Sequence, residues 1–374
     1  MDASGVDVSI LVPAHDAEQT LGRALRSALT STRASIEVVC VDDGSTDGTA
    51  QVQRQVASED ARVQVLGGSN RGYGATINRA LGEARGTYVA ILESDDWVRP
   101  GAYDELFELA CLYGMPDVVK SSYVRVLRGR DGQLEERHSH LHGRVRPRRM
   151  PFRLADAPQL IEYHPSIWSA LYRRDFLLGH DIRMMEEPGG GWVDNPFCVE
   201  TLAQAETIVY TDDEYYCYRE DMPGSSTASA TAGLGVERWH DRQDVLERLG
   251  VADRGILRAN CVVGMKALDR ALREWTSLTP EVRAEAQRMA RRMDPCLVGS
   301  IGSVAPSTRA AYERMLSLGP RPLSSVRYGL WLAGEAAWTA CQDGPRALAQ
   351  DVALAMGRSS ERGDAVSRDQ EGGM

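Results

Sequence analysis

Three carboxylates, Glu93, Asp95 and Asp96, end the apolar run inside the stretch TYVAILESDDWVRPG at residues 87–101. Such a group repels itself unless a cation lies between the charges. Carboxylate oxygens suit a hard divalent ion, and an ion held there can grip a diphosphate. The residues before them, Tyr88, Val89, Ala90, Ile91 and Leu92, are apolar without a break, as in a strand buried on both faces of a parallel sheet. Ligands of open α/β sheets bind beyond the carboxyl ends of strands, so this strand would deliver its carboxylates to a site. The competing reading is structural, with Asp95 and Asp96 capping a helix that begins near Pro100.

The elements that must position this cluster repeat along the chain. Residues 8–12 read as a first buried strand, followed by a helix with Asp16 as N-cap, Gln19 three residues on, and a stripe of Leu21, Ala24, Leu25, Ala28 and Leu29. Residues 37–41 read as a second strand, ending in DDGSTDGT at 42–49 before a helix with Val52 and Val56. Residues 62–66 supply a third strand, and GGSNRGYGATINRAL leads into a helix carrying Ala75, Ile77, Ala80, Leu81 and Ala84. Repeated βα units at this spacing predict an α/β fold with a parallel sheet. Gly72 and Gly74 would let a ligand approach the backbone or simply form a turn. A G-x-G-x-x-G after the first strand is absent, which weakens a nicotinamide dinucleotide reading.

Bulk composition narrows the classes. The 374 residues are 43% hydrophobic and 26% charged, enough for one large domain and a smaller one. A net charge of -10 argues against nucleic acid as a partner, because phosphate-backbone affinity needs clustered Lys and Arg. Seven scattered cysteines without a CxxC pair read as reduced thiols of a cytoplasmic protein. The N-terminal residues carry no basic region or long apolar run, and the best candidate span, 328–341, is short and contains Glu335. The expectation is a cytoplasmic protein that can sit at the inner face of the membrane.

Three segments, VSILVPAHDAEQTLGRALRSAL, EVVCVDDGSTDGT and NRGYGATINRALGEARGTYVAILESDDW, together resemble the nucleotide-binding half of family 2 glycosyltransferases of the GT-A fold. The resemblance implies a Rossmann-like, mostly parallel sheet flanked by helices. Pro13, Ala14 and His15 would line a base pocket, and Asp42 or Asp43 would accept a hydrogen bond from a uracil-like imide. Asn70, Gly72, Tyr73, Gly74, Asn78, Glu93, Ser94 and Asp95 complete the implied donor site, with Asp95 the foremost ligand for Mn2+ or Mg2+. Glu93 stands where the family more often has Asp, so it ranks below Asp95.

HPSIWSALYRRDFL, EEPGGGWVDNPFCVETLAQA and TIVYTDDEYYCYREDMPGSST resemble the acceptor half of bacterial family 2 enzymes, where a loop of glycines and aromatics leads to a carboxylate opening a helix. Asp194 matches that carboxylate and would be the general base, although Val193 replaces the acidic residue that often precedes it. Read structurally, Asp194 is only an N-cap. Asp96, Trp97, Trp168 and Trp192 would contact sugar or acceptor, and Tyr218, Arg219, Ser225 and Ser226 match the family's closing segment near the diphosphate. The activity implied is inverting transfer of a sugar from a nucleotide-diphosphate donor, with UDP favoured, to an acceptor hydroxyl. The alternatives are a sugar nucleotidyltransferase and a noncatalytic nucleotide-sugar-binding protein.

Residues 125–153 hold nine arginines, read either as a solvated hairpin or as a contact for an anionic acceptor or lipid. His138, His140 and His142 alternate, which in a strand puts them on one face. No partner ligand is evident beside them, which disfavours a metal site. From Ala232 the pattern turns helical, with Leu257, Cys261, Met265, Leu268 and Leu272 in register and Thr279-Pro280 as a helix start. The expected division is 1–120 for the nucleotide-sugar half, 121–231 for the acceptor half, 232–357 for a helical region able to form a homodimer, and 358–374 as a disordered tail.

Overall fold

A computed structural model describes residues 5–129, 132–188, 191–220, 231–319, 324–345 and 347–352. The strands are β1 Val8–Ala14, β2 Ile36–Asp42, β3 Val63–Gly67, β4 Tyr88–Ile91, β5 Trp97–Val98, β6 Val118–Arg128, β7 Leu134–His138, β8 Ala170–Arg173 and β9 Ile208–Arg219. They form one sheet in the order β3-β2-β1-β4-β8-β6-β9-β5, with β7 also paired to β6. β1, β2 and β4 are buried at every residue, as strands covered on both faces are, with Ser9 and Glu37 hydrogen-bonded to each other at 2.6 Å.

The sheet is mixed, and parallel pairing belongs mainly to its first half. β3, β2, β1 and β4 run parallel, as the repeated βα units predict. β8 then enters antiparallel between β4 and β6, while β9 returns parallel to β6. The expected division at 120/121 falls inside β6, so both halves share one hydrophobic core.

Helices flank this sheet: α1 Leu21–Ala28, α2 Thr49–Glu59, α3 Tyr73–Glu83, α4 Ala102–Leu112, α5 Arg174–Gly179 and α6 Asp194–Gln204. In α1, Leu21, Ala24, Leu25 and Ala28 turn inward at helical spacing. Burying each such leucine contributes about 1.5–3 kcal/mol. Neither the cap expected at Asp16 nor the competing cap reading of Asp95 and Asp96 is found. Asp16 stands five residues before α1, with φ +46, and its carboxylate accepts from Thr46 N at 2.7 Å, tying together the loops after β1 and β2. α4 starts behind Gly101 in a left-handed conformation, without a side-chain cap, so Asp95 and Asp96 are released from that role.

The C-terminal region is helical: α7 Ala232–Arg248, α8 Arg254–Arg273, α9 Pro280–Arg292, α10 Pro295–Ser300, α11 Pro306–Met315 and α12 Ser324–Gln342. Thr279 caps α9 through Val282 N at 3.4 Å, with Pro280 in the first turn. Trp239, Met265, Leu268, Met289 and Tyr312 build a second core, while Val245, Leu246, Ile256 and Ala259 join the sheet's core. α7 therefore faces both. α12 leaves Val326, Leu330 and Leu332 exposed. Among the described residues, no helix is long and apolar enough to cross a membrane.

The arginine-rich stretch is largely neutralised within the protein. Arg125, Arg137, Arg144, Arg146 and Arg153 pair with Glu220, Asp351, Glu335, Asp212 and Glu206. The three histidines do not share a strand face. β7 ends at His138, and a turn closed by His142 N→Ser139 O at 3.1 Å swings the following residues round. His138 and His142 consequently stack, with centroids 4.1 Å apart, while His140 turns toward Tyr163 and Trp338. The 358–374 tail lies outside the described residues.

Candidate functional site

The ends of β1, β2 and β3 meet at a cluster of loops. Pro13 and Ala14 are buried in β1, and Ala14 O accepts from Asp43 N at 2.8 Å. His15 is exposed; its Nδ1 lies 3.1 Å from Asp43 O and its Nε2 3.4 Å from Asn70 Nδ2. The Asp43 carboxylate receives Arg71 N at 2.8 Å and Gly72 N at 2.9 Å, whereas Asp42 Oδ1 receives Ser45 N at 3.0 Å. Asp43 thus holds the loop leading into α3. Gly44, at φ +73, lets that loop close in, because a Cβ there would lie 2.6 Å from Asn70 N.

Two residues expected to bind a donor serve the protein's own packing. A Cβ at Gly74 would lie 1.9 Å from Met185 O, so its bareness admits the chain's own backbone rather than a ligand. Asn78 spends its amide on residues 184–186: Nδ2 donates to Met184 O and to Glu186 Oε1, and Oδ1 accepts from Met184 N, each at 2.9 Å. α3 in this way anchors the segment that runs on toward Asp194.

At the end of β4, Glu93 and Asp95 keep some contact with solvent although protein atoms crowd them. Glu93 Oε1 accepts from Tyr73 Oη at 2.5 Å, and Glu93 N donates to Tyr216 Oη at 3.1 Å. Burial pushes the Glu93 carboxyl up to about 8; the Tyr73 bond opposes the rise, while Asp95 and Asp194 add repulsion. Asp96 is fully buried, taking Tyr216 Oη at 2.8 Å and Arg219 N at 2.6 Å, so it ties β4 to β9 instead of meeting a sugar. Burial also raises Asp95, with the Arg219 charge pulling it back, and its hydrogen bond among the described residues is to its own backbone N–H. Asp95 has oxygens to spare, and its charge acts on two neighbouring carboxyls, Glu93 and Asp96. That donor set fits a hard divalent cation.

Asp194 is the first residue of α6; Val193 is the N-cap, and no side-chain cap bond is made there. Burial pushes the Asp194 carboxyl up to about 6, while Asn195, the first backbone N–H groups of α6 and Arg242 pull against the rise. Asn195 Nδ2 lies 3.3 Å from Asp194 Oδ1, and Arg242 NH1 in turn donates to Asn195 Oδ1 at 3.2 Å. Arg242 is fully buried, also reaching Asn260 Oδ1 at 3.0 Å and Ile161 O at 2.6 Å, and burial lowers its guanidinium to about 10. The helical region therefore reaches the site through α7. Neither Asn195 nor Arg242 stood out in the sequence: one looks like part of a helix start, the other is one arginine among many. Trp192, two residues before Asp194, holds φ +58, a conformation costing of order 1–3 kcal/mol for such a residue. Its carbonyl accepts from Asn195 N at 3.1 Å, and the Arg270 guanidinium lies 5.7 Å from its ring.

The other aromatics are mostly structural. Trp168 is buried, stacked on Tyr216 at 4.1 Å and on Tyr218 at 5.1 Å, with the edge of Tyr123 at 4.7 Å, which removes it as an open sugar platform. Arg23 covers the Trp97 ring at 3.2 Å. Ser94 and Tyr218 are half-buried beside the carboxylates and in the aromatic stack, respectively. Ser225 and Ser226 lie outside the described residues.

Comparisons with known proteins bear on the family and the fold. Residues 9–178 match the family described as "Glycosyl transferase family 2". The chain is 28% identical over 231 residues to "Uncharacterized glycosyltransferase EpsJ" of Bacillus subtilis (strain 168), covering 59% of this chain and 62% of that one. It is 38% identical over 125 residues to "Succinoglycan biosynthesis protein ExoO" of Rhizobium meliloti (strain 1021), covering 33% and 35%. The chain thus spans less than two thirds of either relative. Among solved structures, S. aureus TarS 1-349 superposes with a TM-score of 0.64 at 18% identity over 83% of this chain and 87% of that one, which shows a shared fold. Its complex with UDP superposes at 0.62 with 19% identity over the same shares.

Proposed function

The chain belongs to glycosyl transferase family 2, and from that premise we propose that it transfers a sugar from a nucleotide-diphosphate donor to an acceptor hydroxyl with inversion. The observation that carries this reading is the place of Asp194, first residue of α6, making no cap bond there and held by Asn195 Nδ2 at 3.3 Å, with burial pushing its carboxyl up to about 6. A base is most useful when its pKa lies near the working pH. Asp194 takes the proton of the acceptor hydroxyl as that oxygen bonds to the anomeric carbon. The bond from that carbon to the diphosphate oxygen breaks on the opposite face, so one displacement inverts the centre, by the geometry known for inverting glycosidases.

Asp42 and Asp43 sit where a base pocket would open beside Pro13 and His15; uridine is the base this reading favours. Asp95, with Glu93 near it, would hold Mn2+ or Mg2+. When bound, such an ion supplies positive charge against the leaving diphosphate. Tyr73 keeps Glu93 in place, and Asp43 keeps the α3 loop closed. Trp192, held in its unusual backbone conformation, is the aromatic we assign to the acceptor side. The printed name of one relative, a succinoglycan biosynthesis protein, favours a saccharide as acceptor. The test is incubation with a panel of nucleotide sugars, divalent ion and saccharide acceptors, following nucleoside diphosphate release and the anomeric configuration of the product. Release of pyrophosphate instead, or retention of configuration, would overturn the proposal.

A further inference from the structure

A second cluster of ligating groups lies on the far stretch of β9. Residues 212 and 213 bulge out of the β6–β9 ladder, which sets Thr211 opposite Ser121 and Glu214 opposite Ser122. The bulge aims Glu214 at the turn after β7. There His138 Nδ1 stands 2.9 Å from both Glu214 oxygens, and His142 Nδ1 stands 3.6 Å from Oε1. One ligand atom from each of the three residues falls within 4.8 Å of the others. We propose that His138, His142 and Glu214 bind a borderline-soft divalent cation of the Zn2+ class, apart from the carboxylates at the end of β4.

Three observations converge on this site. Ligands at about 2.0–2.2 Å from a tetrahedral ion are separated by roughly 3.3 Å, a spacing bracketed by the 2.9 and 3.6 Å found here. The Nδ1 atom of His142 is enclosed and makes no hydrogen bond among the described residues, a costly state that an ion would relieve. The two imidazoles stack nearly parallel, 18° apart, with both Nδ1 atoms near one carboxylate. Two imidazole nitrogens and a carboxylate make a mixed nitrogen and oxygen set that selects Zn2+ over Mg2+.

The supports are already in place. Asp343, just after α12, accepts from His138 N at 3.0 Å, and Trp338 of α12 donates to His142 O at 3.3 Å. Asp212 accepts from Gly143 N at 2.9 Å. An ion here would fasten the β7 turn, β9 and the end of α12 to one another. Its role is that of a clamp holding the last long helix to the sheet.

The test is calorimetric titration of the chelator-stripped full chain with ZnCl2 in excess MgCl2, which occupies any hard-cation site. One equivalent should bind, and His142→Gln and Glu214→Gln should each weaken binding by more than about tenfold, the scale on which even outer partners of a metal act. Asp95→Ala should keep the Zn2+ site. Co2+ in place of Zn2+ should give the visible absorption of a nitrogen-ligated site in the wild-type chain, a readout independent of any variant's folding. Hydrogen exchange in α12 should slow when Zn2+ is added. Absence of saturable Zn2+ uptake, uptake unchanged in both variants, or uptake lost in Asp95→Ala would overturn the proposal.

Discussion

At the end of β4, Glu93, Asp95 and Asp96 stand within four consecutive residues, whereas Asp194 opens α6 with an amide for a neighbour. Both places are crowded by protein, and burial raises the carboxyls in both. The difference lies in what opposes burial. At Glu93 and Asp96 neighbouring carboxylates add to it, so the cluster gains most from a cation. At α6 the helix start, Asn195 and Arg242 subtract from it, leaving one carboxyl near 6 and able to exchange a proton close to neutral pH. The same residue type thereby meets two electrostatic environments.

The largest expected effect breaks the β4 side. Asp95→Ala should abolish transfer, and excess chelator should do the same to the wild type. Turnover surviving in chelator, measured by nucleoside diphosphate release, would refute the assignment. On the α6 side, Asp194→Asn should lower transfer by 10²- to 10⁴-fold while calorimetry shows donor affinity nearly unchanged. The same variant separates chemistry from stability. The folded carboxyl titrates near 6, above the ordinary carboxylate value of about 4, so its favourable contribution is present below pH 4 and lost as pH rises through 6. Asp194→Asn should therefore melt higher than wild type above pH 6 and lose that advantage at pH 4. A lower melting temperature at pH 7 would mean that the charge is stabilising where it stands.

A smaller effect is expected of Asn195→Ala, which removes a hydrogen bond that holds the Asp194 carboxyl down. The wild-type rate should climb with pH through about 6 and then level. In the variant this limb should move toward higher pH by up to roughly one unit, the worth of one such bond. Above the limb the two rates should converge, and an unshifted profile would leave Asn195 outside the base's control. The smallest change is expected of Glu93→Gln, less than about tenfold, since glutamine still accepts the Tyr73 hydroxyl and a carboxyl pushed up to about 8 is largely uncharged at pH 7 without a cation. If it matched Asp95→Ala, the ranking of the two residues would be reversed.

Chemistry-bearing residues followed by a local pattern were legible in the chain. Tyr88 to Leu92 announce a buried strand by their unbroken apolar run, and the positions of Asp42, Asp43 and Asp95 at strand ends follow from it. Caps were half legible. Thr279-Pro280 is a local start signal and does open a helix, but Asp16 caps none, because its partner, Thr46, lies thirty residues away. Gly74 and Asn78 looked like ligand contacts until the 184–186 segment was seen to occupy them.

By itself the sequence determined the βα repeats, the helical turn after Ala232 and the residue types at the strand ends, because periodicity and propensity act over a few residues. Tertiary structure decided the antiparallel entry of β8, the burial of Trp168, the reach of Arg242 through Asn195 to Asp194, and the meeting of His138 and His142 with Glu214. These depend on contacts between residues tens of positions apart, one of them on the bulge at residues 212 and 213 of β9. A side chain's neighbours set its desolvation and the charges around it, and no pattern along the chain encodes them.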